Sequence, residues 1–487
     1  MSFFNIRNAF LGVILLSSCN VSMPKQEQVK NIIAPPSLQK SICTSMHTPF
    51  FTRSTWPKDC WWSEFHAPDL NCLIASALSK NPTIQEVRER IELARQESIV
   101  VRAKLFPLVF FEYEDTKEYV SHNGLYRAFN PKFPISANLV DLSIGFTYEF
   151  DFWGQNANLF AAALGREQAA KAESAEVILV TTTALAQSYF ALKTNLIRRE
   201  LYLRLYRVRK DAFELQQLLL QKALLSKLDP LLSEELVLEA GKLVASIEEE
   251  IAVNKHVINT LAGRGPDECL NITECLSPIP EKIAIPCDVS LNLLARRPDL
   301  MATIWRAEAL AHEVGAAMAD YYPNINLAGL VGVESALYSQ IFQARSITAS
   351  VTPALYLPIF TAGAIGANIR ARKADFNAAI YAYNQLLLDS AREVADLLAL
   401  GRSVYEQKAL QNLVIERSKQ RYELTVLRKE KGLDNFLAVY QYLEELIDKE
   451  LEDVTLIYNQ YLVTIKLIKA LGGGYHAECI PLKKYDN

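Results

Sequence analysis

Few residues in this chain have the types and spacing that catalysis needs. The six histidines are scattered, at positions 47, 66, 122, 256, 312 and 476. No Gly-x-Ser-x-Gly sequence is present to supply a hydrolase nucleophile. None of the eight cysteines forms a Cys-x-x-Cys pair, which argues against a zinc ribbon or a thioredoxin-like site. We therefore expect no catalytic residue, no cofactor and no metal site.

Cys19, at the end of the first apolar segment, is the residue for which the sequence predicts a chemical modification. Arg7 is the only charge before it, and the apolar run over residues 9–16 is too short to span a bilayer. The Leu-Ser-Ser-Cys that ends the segment is typical of a bacterial lipoprotein, in which the cysteine is acylated, for example with palmitate. A plain signal peptide with an incidental cysteine is the alternative. We predict a signal peptide over residues 1–18 and a lipid anchor on Cys19. Lipoproteins that stay in the inner membrane usually have Asp directly after this cysteine. Because this chain has Asn20 there, the outer membrane is favoured.

The other seven cysteines are expected to lie in an oxidising compartment, where some of them form disulfides. They are Cys43, Cys60, Cys72, Cys269, Cys275, Cys287 and Cys479. Their number is odd, and the sequence leaves the connectivity open.

The composition excludes two broad classes of protein. Half of the 487 residues are apolar, which is too many for a disordered chain. The 51 basic and 55 acidic residues give a net charge of −4, so the basic surplus typical of a nucleic-acid binder is missing. We expect a folded protein that does not bind nucleic acid.

Proline and glycine positions predict two very long helical regions. Residues 135–229 contain no proline, and residues 166–229 also contain no glycine, which is enough for a helix of roughly 95 Å. Residues 359–480 form a second proline-free run that only a few glycines interrupt. Helices of this length exceed a globular core and indicate coiled-coil or helical-barrel packing.

The two helical regions belong to an internal two-fold repeat. Pro82 and Pro107 lie 25 residues apart, and Pro298 and Pro323 have the same separation. In both copies one proline opens a helical pattern and the other closes it. A pair of strands and a very long helical run follow each time, and this matched order makes chance an unsatisfactory explanation.

Four segments alternate between apolar and polar residues, as the strands of a membrane barrel do. Their apolar positions are Val109, Phe111 and Tyr113; Val140, Leu142, Ile144, Phe146, Tyr148 and Phe150; Ile325, Leu327, Val331 and Val333; and Ile347, Ala349, Val351, Leu355 and Leu357. A soluble, half-buried sheet is the alternative. The export signal and the helix lengths favour the membrane, with Val351 and Ile144 facing lipid and Thr352 and Ser143 facing the lumen.

Four strands cannot close a barrel, and an open sheet edge is not tolerated in lipid. Closure takes eight or more strands, so at least two chains must contribute. The same association would join the long helices into a tube that continues the barrel. The sequence therefore predicts a conduit.

Several short motifs carry a family resemblance that runs from Trp61 to Tyr475. They are Leu-Ser-Lys-Asn-Pro at 78–82, Tyr-Glu-Phe-Asp-Phe-Trp-Gly at 148–154, Ala-Arg-Arg-Pro-Asp-Leu at 295–300, Tyr-Tyr-Pro-Asn-Ile at 321–325, Leu-Pro-Ile-Phe at 357–360, Arg-Glu-Val-Ala-Asp at 392–396 and Lys-Ala-Leu-Gly-Gly-Gly-Tyr at 469–475. With these motifs the chain resembles the TolC-like outer membrane efflux proteins, in the lipoprotein branch that serves tripartite drug-efflux pumps.

The resemblance implies a mainly α-helical protein with a membrane β-barrel. Three chains would each give four strands to a twelve-stranded barrel, which continues into a long periplasmic helical barrel of twelve helices. An equatorial domain would be built from the connector and the termini. The implied division is a signal peptide at 1–18; an N-terminal and equatorial segment at 19–80; a first repeat at 81–262, with strands near 108–116 and 139–151 and a helical hairpin near 155–262; a connector at 263–296; a second repeat at 297–471, with strands near 324–333 and 347–357 and a hairpin near 361–471; and a tail at 472–487.

Three of these motifs have a structural interpretation of their own. Arg297 and Asp299 are placed at a helix start, where an acidic residue is favourable; the arginines there could instead pair with acidic equatorial groups. Trp153 and Gly154 stand where a strand becomes a helix. The three glycines at 472–474 are expected to end the last long helix.

The functional site that the resemblance implies is the periplasmic aperture. The family's second hairpin usually reads Arg-Tyr-x-x-Gly and then Leu-x-x-Leu-Asp-Ala-Gln, and its Tyr and Asp help to hold the tunnel shut. Aligned on Gly432, this chain keeps Arg428 but has Lys429 at the Tyr position and Gln441 at the Asp position. Asp434, with Glu430 close by, is expected to pair with Lys429 or Arg428.

The implied function is a passive duct in the outer membrane that extends into the periplasm and exports small molecules such as drugs. Its partners would be two further copies of the chain, a periplasmic adaptor (membrane fusion) protein, an inner-membrane pump and outer-membrane lipid. One alternative is the outer-membrane duct of a type I protein secretion system. Another, from a different class, is a lipid-anchored periplasmic coiled-coil protein without a pore.

Overall fold

The computed structural model describes residues 32–270, 272, 283–286 and 296–476. The signal peptide, Cys19, most of the connector and the end of the tail lie outside the described residues. The helices are α1 (Gln39–Met46), α2 (Pro68–Lys80), α3 (Pro82–Ala103), α4 (Leu125–Phe129), α5 (Gln155–Gln221), α6 (Leu228–Leu261), α7 (Pro298–Ala319), α8 (Ala364–Glu430) and α9 (Phe436–Ala470). The strands are β1 (Phe51–Ser54), β2 (Leu108–Tyr119), β3 (Ser136–Phe150), β4 (Ile283–Pro286), β5 (Asn324–Ser335) and β6 (Ile347–Tyr356).

Elements at equivalent places in the two halves have similar lengths. The long helices α5 and α8 have 67 residues each, about 100 Å. The helices that precede the strands, α3 and α7, have 22 residues each, and the helices that return from the tips, α6 and α9, have 34 and 35. Both long helices follow a glycine with positive φ, Gly154 (73°) and Gly363 (83°). Glycine adopts this conformation without a steric penalty, so the strand can turn directly into the helix.

The four long strands form one antiparallel sheet in the order β2-β3-β5-β6. Its register places Val109 opposite Phe146, Phe146 opposite Gly329, and Gly329 opposite Val351. The apolar positions predicted for the four strands therefore share one face, and this expectation is confirmed by the register. Val351 and Ile144 are 70% and 54% exposed on that face. A broad exposed apolar surface of this kind is typical of contact with a membrane or another protein.

The helices form two layers, one next to the sheet and one farther from it. Next to the sheet, the upper layer follows the order α3-α5-α7-α8, and each helix contacts the next. Farther from the sheet, the lower layer follows the order α6-α5-α9-α8. The two long helices run through both layers, because their length exceeds either one.

An aromatic core fixes the N-terminal segment to the long helices. Trp61 and Phe65 are almost completely buried against α2, α5, α6 and α9. Phe190 of α5 stacks on Tyr461 of α9 with ring centroids 4.0 Å apart. The Asn81 side chain caps α3 by accepting hydrogen bonds from the amides of residues 83 and 84, and it donates to the carbonyl of residue 261 at 2.8 Å. This double role explains why Asn precedes Pro at that helix start.

The Arg-Arg-Pro-Asp motif starts α7 and also joins that helix to two others. Asp299 lies in the first turn, as predicted, and forms two hydrogen bonds with Arg297, at 3.1 and 2.7 Å. Arg297 also binds Glu393 of α8 at 2.8 Å and the carbonyl of Ala470 at 3.2 Å. The motif therefore has both roles that the sequence left open.

The other two motifs lie at the junctions where the sequence places them. The Trp153 indole donates to the Pro323 carbonyl at 2.8 Å and stacks on Tyr322, with centroids 4.6 Å apart. These contacts join the end of β3 to the start of β5. The three glycines at 472–474 follow α9 with positive φ, and a Cβ on Gly472 would collide with the Arg296 carbonyl oxygen.

Candidate functional site

The tip between α8 and α9 is a short turn held by one ion pair. Nε of Arg428 lies 2.6 Å from Oδ2 of Asp434, and both residues belong to the same turn. Gly432 has a φ of 73°, which the turn requires. The Asn435 side chain accepts from the amide of residue 438 and caps α9. The ion pair therefore stiffens the turn itself.

The hydrogen bond with Arg428 lowers the pKa of the Asp434 carboxyl, and the same bond raises the pKa of the Arg428 guanidinium. Arg428 is exposed and Asp434 is partly exposed, so screening by water and salt limits the free energy that the pair contributes.

Lys429 does not pair with an acidic residue at this tip. Its ammonium group lies 3.7 Å from the ring centroid of Phe436, the first residue of α9. A cation over an aromatic face is attracted by the ring quadrupole. Of the two partners that the sequence offered to Asp434, the structure confirms Arg428, and Lys429 contacts the ring of Phe436 instead.

Gln441 stands apart from these contacts, exposed in the second turn of α9. The structure thus brings Arg428, Lys429 and Asp434 together and leaves Gln441 on the helix that follows. An exposed amide can donate and accept hydrogen bonds, but it adds no charge.

The tip between α5 and α6 uses a reciprocal side-chain cap. The Ser226 amide donates to Asp229 at 3.2 Å, and the Ser226 hydroxyl accepts from the amide of Leu228 at 3.3 Å. Pro230 is buried in the first turn of α6, where its missing amide hydrogen costs nothing.

A row of arginines on α5 binds α9 above the tips, and sequence reasoning did not find it. Arg198 donates to the Thr455 hydroxyl at 3.3 Å, Arg204 binds Glu450 at 3.1 Å, and Arg209 binds Glu444 at 3.4 Å. The arginines descend α5 as their partners descend α9 toward the tip, so the three contacts form an antiparallel ladder, called here the α5–α9 rungs. The spacing of the arginines can be read from the sequence, but their partners depend on how α5 and α9 are aligned with each other.

The lowest rung is the most protected from solvent. The side chains of Arg209 and Glu444 are 16% and 24% exposed. Arg209 also donates to the carbonyl of Leu236 on α6 at 3.0 Å. Burial raises the pKa of the Glu444 carboxyl, and the charge and hydrogen bond of Arg209 oppose that rise. Arg209 therefore connects three of the four helices of the lower layer.

The remaining reactive side chains can be compared with the geometry that a metal site needs. Within residues 32–270, 272, 283–286 and 296–476, no group of three His, Cys, Asp or Glu side chains is arranged to hold a metal ion. Cys43, Cys60, Cys72 and Cys269 are free and exposed thiols, so the expected disulfides do not form among these four. The other cysteines lie outside the described residues.

Comparisons with known proteins agree with this architecture. A family model described as outer membrane efflux protein matches residues 73–229 and 289–473. The multidrug resistance outer membrane protein MdtP of Escherichia coli K12 is 26% identical over 437 residues, covering 88% of this chain and 89% of MdtP. The multidrug resistance outer membrane protein MdtQ of Escherichia coli O157:H7 is 24% identical over 486 residues, covering 97% and 99%.

Solved structures of outer-membrane channels have the same fold. The outer-membrane channel OprN superposes with a TM-score of 0.81 at 24% identity, covering 91% of this chain and 97% of OprN. The outer membrane protein VceC of Vibrio cholerae gives 0.78 at 26% identity, covering 86% and 100%. The sheet with its long helical hairpins is thus the fold of this group of channels.

Proposed function

Because the chain belongs to the outer membrane efflux protein family, we propose that it is the outer-membrane duct of an efflux system. It is a passive channel that carries small molecules, such as drugs, from an inner-membrane pump to the exterior. The relatives MdtP and MdtQ are multidrug resistance outer membrane proteins, which supports this class of cargo. The fold is that of channels, and transport through a passive channel needs no catalytic residue.

One observation carries the proposal: in the part of the chain that the structure describes, each layer is four elements wide and open at both edges. The sheet ends in β2 and β6, the upper helices end in α3 and α8, and the lower helices end in α6 and α8. An unpaired sheet edge is not tolerated in lipid. The edges of one chain must therefore be covered by the opposite edges of another copy.

The outer helices of the lower layer carry the surface that such closure would bury. Exposed leucines on α6 include Leu228, Leu231, Leu232 and Leu238, and those on α8 include Leu410, Leu413, Leu424 and Leu427. Apolar residues that remain exposed on both outer helices favour α6 of one chain packing on α8 of the next.

A trimer is the closure that fits the family resemblance. Three chains with four strands each give a twelve-stranded barrel. The same rotation would close twelve helices into a periplasmic tunnel, since each chain adds two hairpins. The matched element lengths support an internal two-fold repeat over residues 81–262 and 297–471. Residues 19–80, 263–296 and 472–487 would then form the equatorial region between the barrel and the lower tunnel.

The outer membrane supplies the environment for the apolar face of the sheet. Ile144 and Val351 would face lipid, and Ser143 and Thr352 the lumen. An acylated Cys19 would give the chain a second attachment to the same membrane. Since a passive duct has no energy source, its partners are an energised inner-membrane pump and the periplasmic adaptor that connects them.

The aperture would lie at the hairpin tips. Arg428, Lys429, Asp434 and Gln441 would repeat around the threefold axis, and the α5–α9 rungs above them would hold the two hairpins of each chain together. The ion pair and the cation–π contact satisfy the tip charges within one hairpin, so the closed state would depend more on the rungs than on the tip.

Cross-linking tests the closure directly. Leu231, in the first turn of α6, and Leu427, in the last turn of α8, are replaced by cysteine in a variant whose seven native cysteines after Cys19 are serine. A bis-maleimide reagent should produce covalent dimers and trimers on a denaturing gel, whereas each single cysteine should not. The same preparation should conduct ions in a planar bilayer. A membrane-bound monomer without conductance would favour the coiled-coil protein without a pore.

A further inference from the structure

The loop between β5 and β6 folds back onto one face of the sheet. The Ser335 hydroxyl, at the end of β5, donates to the carbonyl of Leu337 at 2.9 Å and accepts from the amide of the same residue at 3.1 Å. The Tyr338 hydroxyl then donates to the carboxylate of Asp115 on β2 and lies 2.9 Å from both of its oxygens. Because β3 lies between β5 and β2, the loop reaches across a whole strand. Residues 336–346 are called here the strap.

The sheet register identifies the face that the strap crosses. Ser335 is opposite Val140, and Val140 is opposite Asp115, so these three residues form one row. Val140 points to the same face as Ile144, since the two are an even number of residues apart. Ile144 is exposed on this face, whereas Val140 is buried, which agrees with a segment that crosses its row. The strap therefore lies on the apolar face of the sheet.

The strap has a defined structure of its own. It contains two short 3-10 turns, Tyr338–Gln340 and Ala344–Ser346. The Ser346 hydroxyl donates to the Gln340 carbonyl at 2.8 Å and joins the two turns. Ile341, between them, is buried. The side chains that the strap exposes are therefore presented from a fixed position.

The row under the strap is where the apolar face ends. Alternate residues of β3 are apolar from Phe150 to Val140, and the same face continues with Asn138, Ser136 and, on β2, Lys117. Ten residues at about 3.3 Å each, tilted by about 45°, rise about 23 Å, close to the height of the apolar band of a membrane barrel. The helices α5 and α8 leave the sheet at its other end. The strap thus marks the far boundary of the apolar band.

The strap exposes apolar and cationic side chains at this boundary. Leu337 and Phe342 are both more than half exposed. Arg345 is exposed, and no acidic residue occurs in the strap. Lys117 is exposed two residues beyond Asp115, which is the only acidic residue on this face of the four described strands and is bound by the strap itself. Apolar side chains beside cations are typical of a surface that binds anionic lipid.

We propose that the strap binds the anionic lipid headgroups of the leaflet at this end of the sheet. Leu337 and Phe342 enter the boundary of the acyl chains, and Arg345 and Lys117 bind headgroup phosphates. The inference rests on the proposed function, because it needs the apolar face to be in lipid, and it adds a specific lipid contact. Lipid is the occupant because the strap continues the face that carries Ile144, whereas a neighbouring copy in the ring would cover the edges β2 and β6.

Quenching by labelled lipid tests the depth of the strap. Phe342→Cys is made in the full chain whose seven native cysteines after Cys19 are serine, and the new thiol carries a bimane fluorophore. In phosphatidylcholine vesicles, lipids brominated on the upper part of the acyl chains should quench most of its fluorescence. The parent chain without the added cysteine reports any label on Cys19, which is subtracted.

Phe129→Cys is the matched control for depth. Phe129 is as exposed as Phe342 but belongs to the loop between β2 and β3. Since β2 continues for four residues, about 13 Å, beyond the row of Asp115 before that loop begins, a label at 129 should escape quenching.

The charge of the lipid is tested with spin-labelled lipids. Spin-labelled phosphatidylglycerol should quench the fluorophore at position 342 more efficiently than spin-labelled phosphatidylcholine, by about fivefold for each cation at low salt. Arg345→Gln combined with Lys117→Gln should abolish this preference, and added salt should weaken it. Lys132→Gln, in the loop between β2 and β3, is the matched control and should retain the preference.

The outcomes separate the strap from the duct. If brominated lipid quenches a label at Ile144→Cys but not the label at Phe342→Cys, the strap proposal fails and the duct stands. Equal quenching by the two spin-labelled lipids would exclude recognition of the anionic headgroup. Cross-linking of two chains through position 342 would assign the strap to a contact between copies. If neither 144 nor 342 is quenched, the apolar face does not contact lipid, and the proposed function fails together with the strap.

Discussion

The sheet and the tip between α8 and α9 are specified by very different numbers of residues. In the sheet, rows such as Val109–Phe146–Gly329–Val351 repeat the same division between an apolar and a polar face. At the tip, the structure rests on one ion pair, one cation–π contact, one side-chain cap and one glycine. A repeated pattern survives the loss of one member, whereas a tip contact disappears with a single substitution. The channel body is therefore robust in sequence, and the tip is free to vary.

The largest effect is expected from a charge placed on the apolar face. Val351 is 70% exposed on the face that we propose contacts lipid, so Val351→Arg would cost about 2–4 kcal/mol near the bilayer midplane. We expect this variant to assemble poorly in the outer membrane, measured as the fraction of heat-modifiable trimer.

Thr352→Arg is the matched control, because the next residue along the strand points to the opposite face. It should assemble nearly as well as the wild type. Equal damage from both substitutions would mean that the sheet does not have one lipid face and one lumen face.

The α5–α9 rungs are less robust to substitution than the sheet and more robust than the tip. Arg209→Ala leaves the half-buried Glu444 without its partner, and we expect a loss of about 1–3 kcal/mol in the stability of the lower hairpins. Limited proteolysis of the tips should accelerate, and the mean conductance in a planar bilayer should rise.

Arg207→Ala is the control for this prediction, since Arg207 lies on the same helix and pairs with Glu200 in full exposure, at 3.2 Å. Exposed pairs contribute about 0–1 kcal/mol, so proteolysis should change little. If the two variants behave alike, the lowest rung does not hold the hairpins together.

The difference between the two regions also explains what the sequence could predict. Alternation along Val351 and its neighbours assigned a face to every strand residue, because a period of two is a property of the whole segment. The turn at Gly432 was also predictable. The partner of Lys429 was not, since Phe436 and Asp434 are both close in sequence and only the three-dimensional turn selects between them.

The same limit applies to the contacts between distant elements. Arg297 was recognised as a helix start, but Glu393 is 96 residues away. The α5–α9 rungs join residues more than 200 positions apart. No local pattern encodes such pairs, because they depend on how two helices are aligned after folding. Composition and periodicity therefore predicted elements and faces, and side-chain partners required the structure.

Membrane attachment compares the sheet with a single residue, the proposed lipid anchor Cys19. We expect a smaller effect from a substitution there. Cys19→Ala should abolish incorporation of labelled palmitate and slow processing, while part of the protein still fractionates with the outer membrane through the sheet. Lipid label that persists on this variant would contradict the lipoprotein assignment. Complete release into the soluble fraction would mean that the sheet alone does not hold the chain in the membrane.

The smallest effect is expected at Gln441, where the tip and not the fold is altered. Each substitution there is repeated three times around the proposed axis, so Gln441→Asp would add three negative charges in the second turn of α9. Charges this close to a narrow opening change the local concentration of ions, and the effect weakens as salt rises. Under a salt gradient in a planar bilayer, Gln441→Asp should shift the reversal potential toward cation selectivity relative to the wild type. Gln441→Asn, which keeps the amide, should not shift it. Identical reversal potentials for the wild type and Gln441→Asp would place residue 441 away from the aperture.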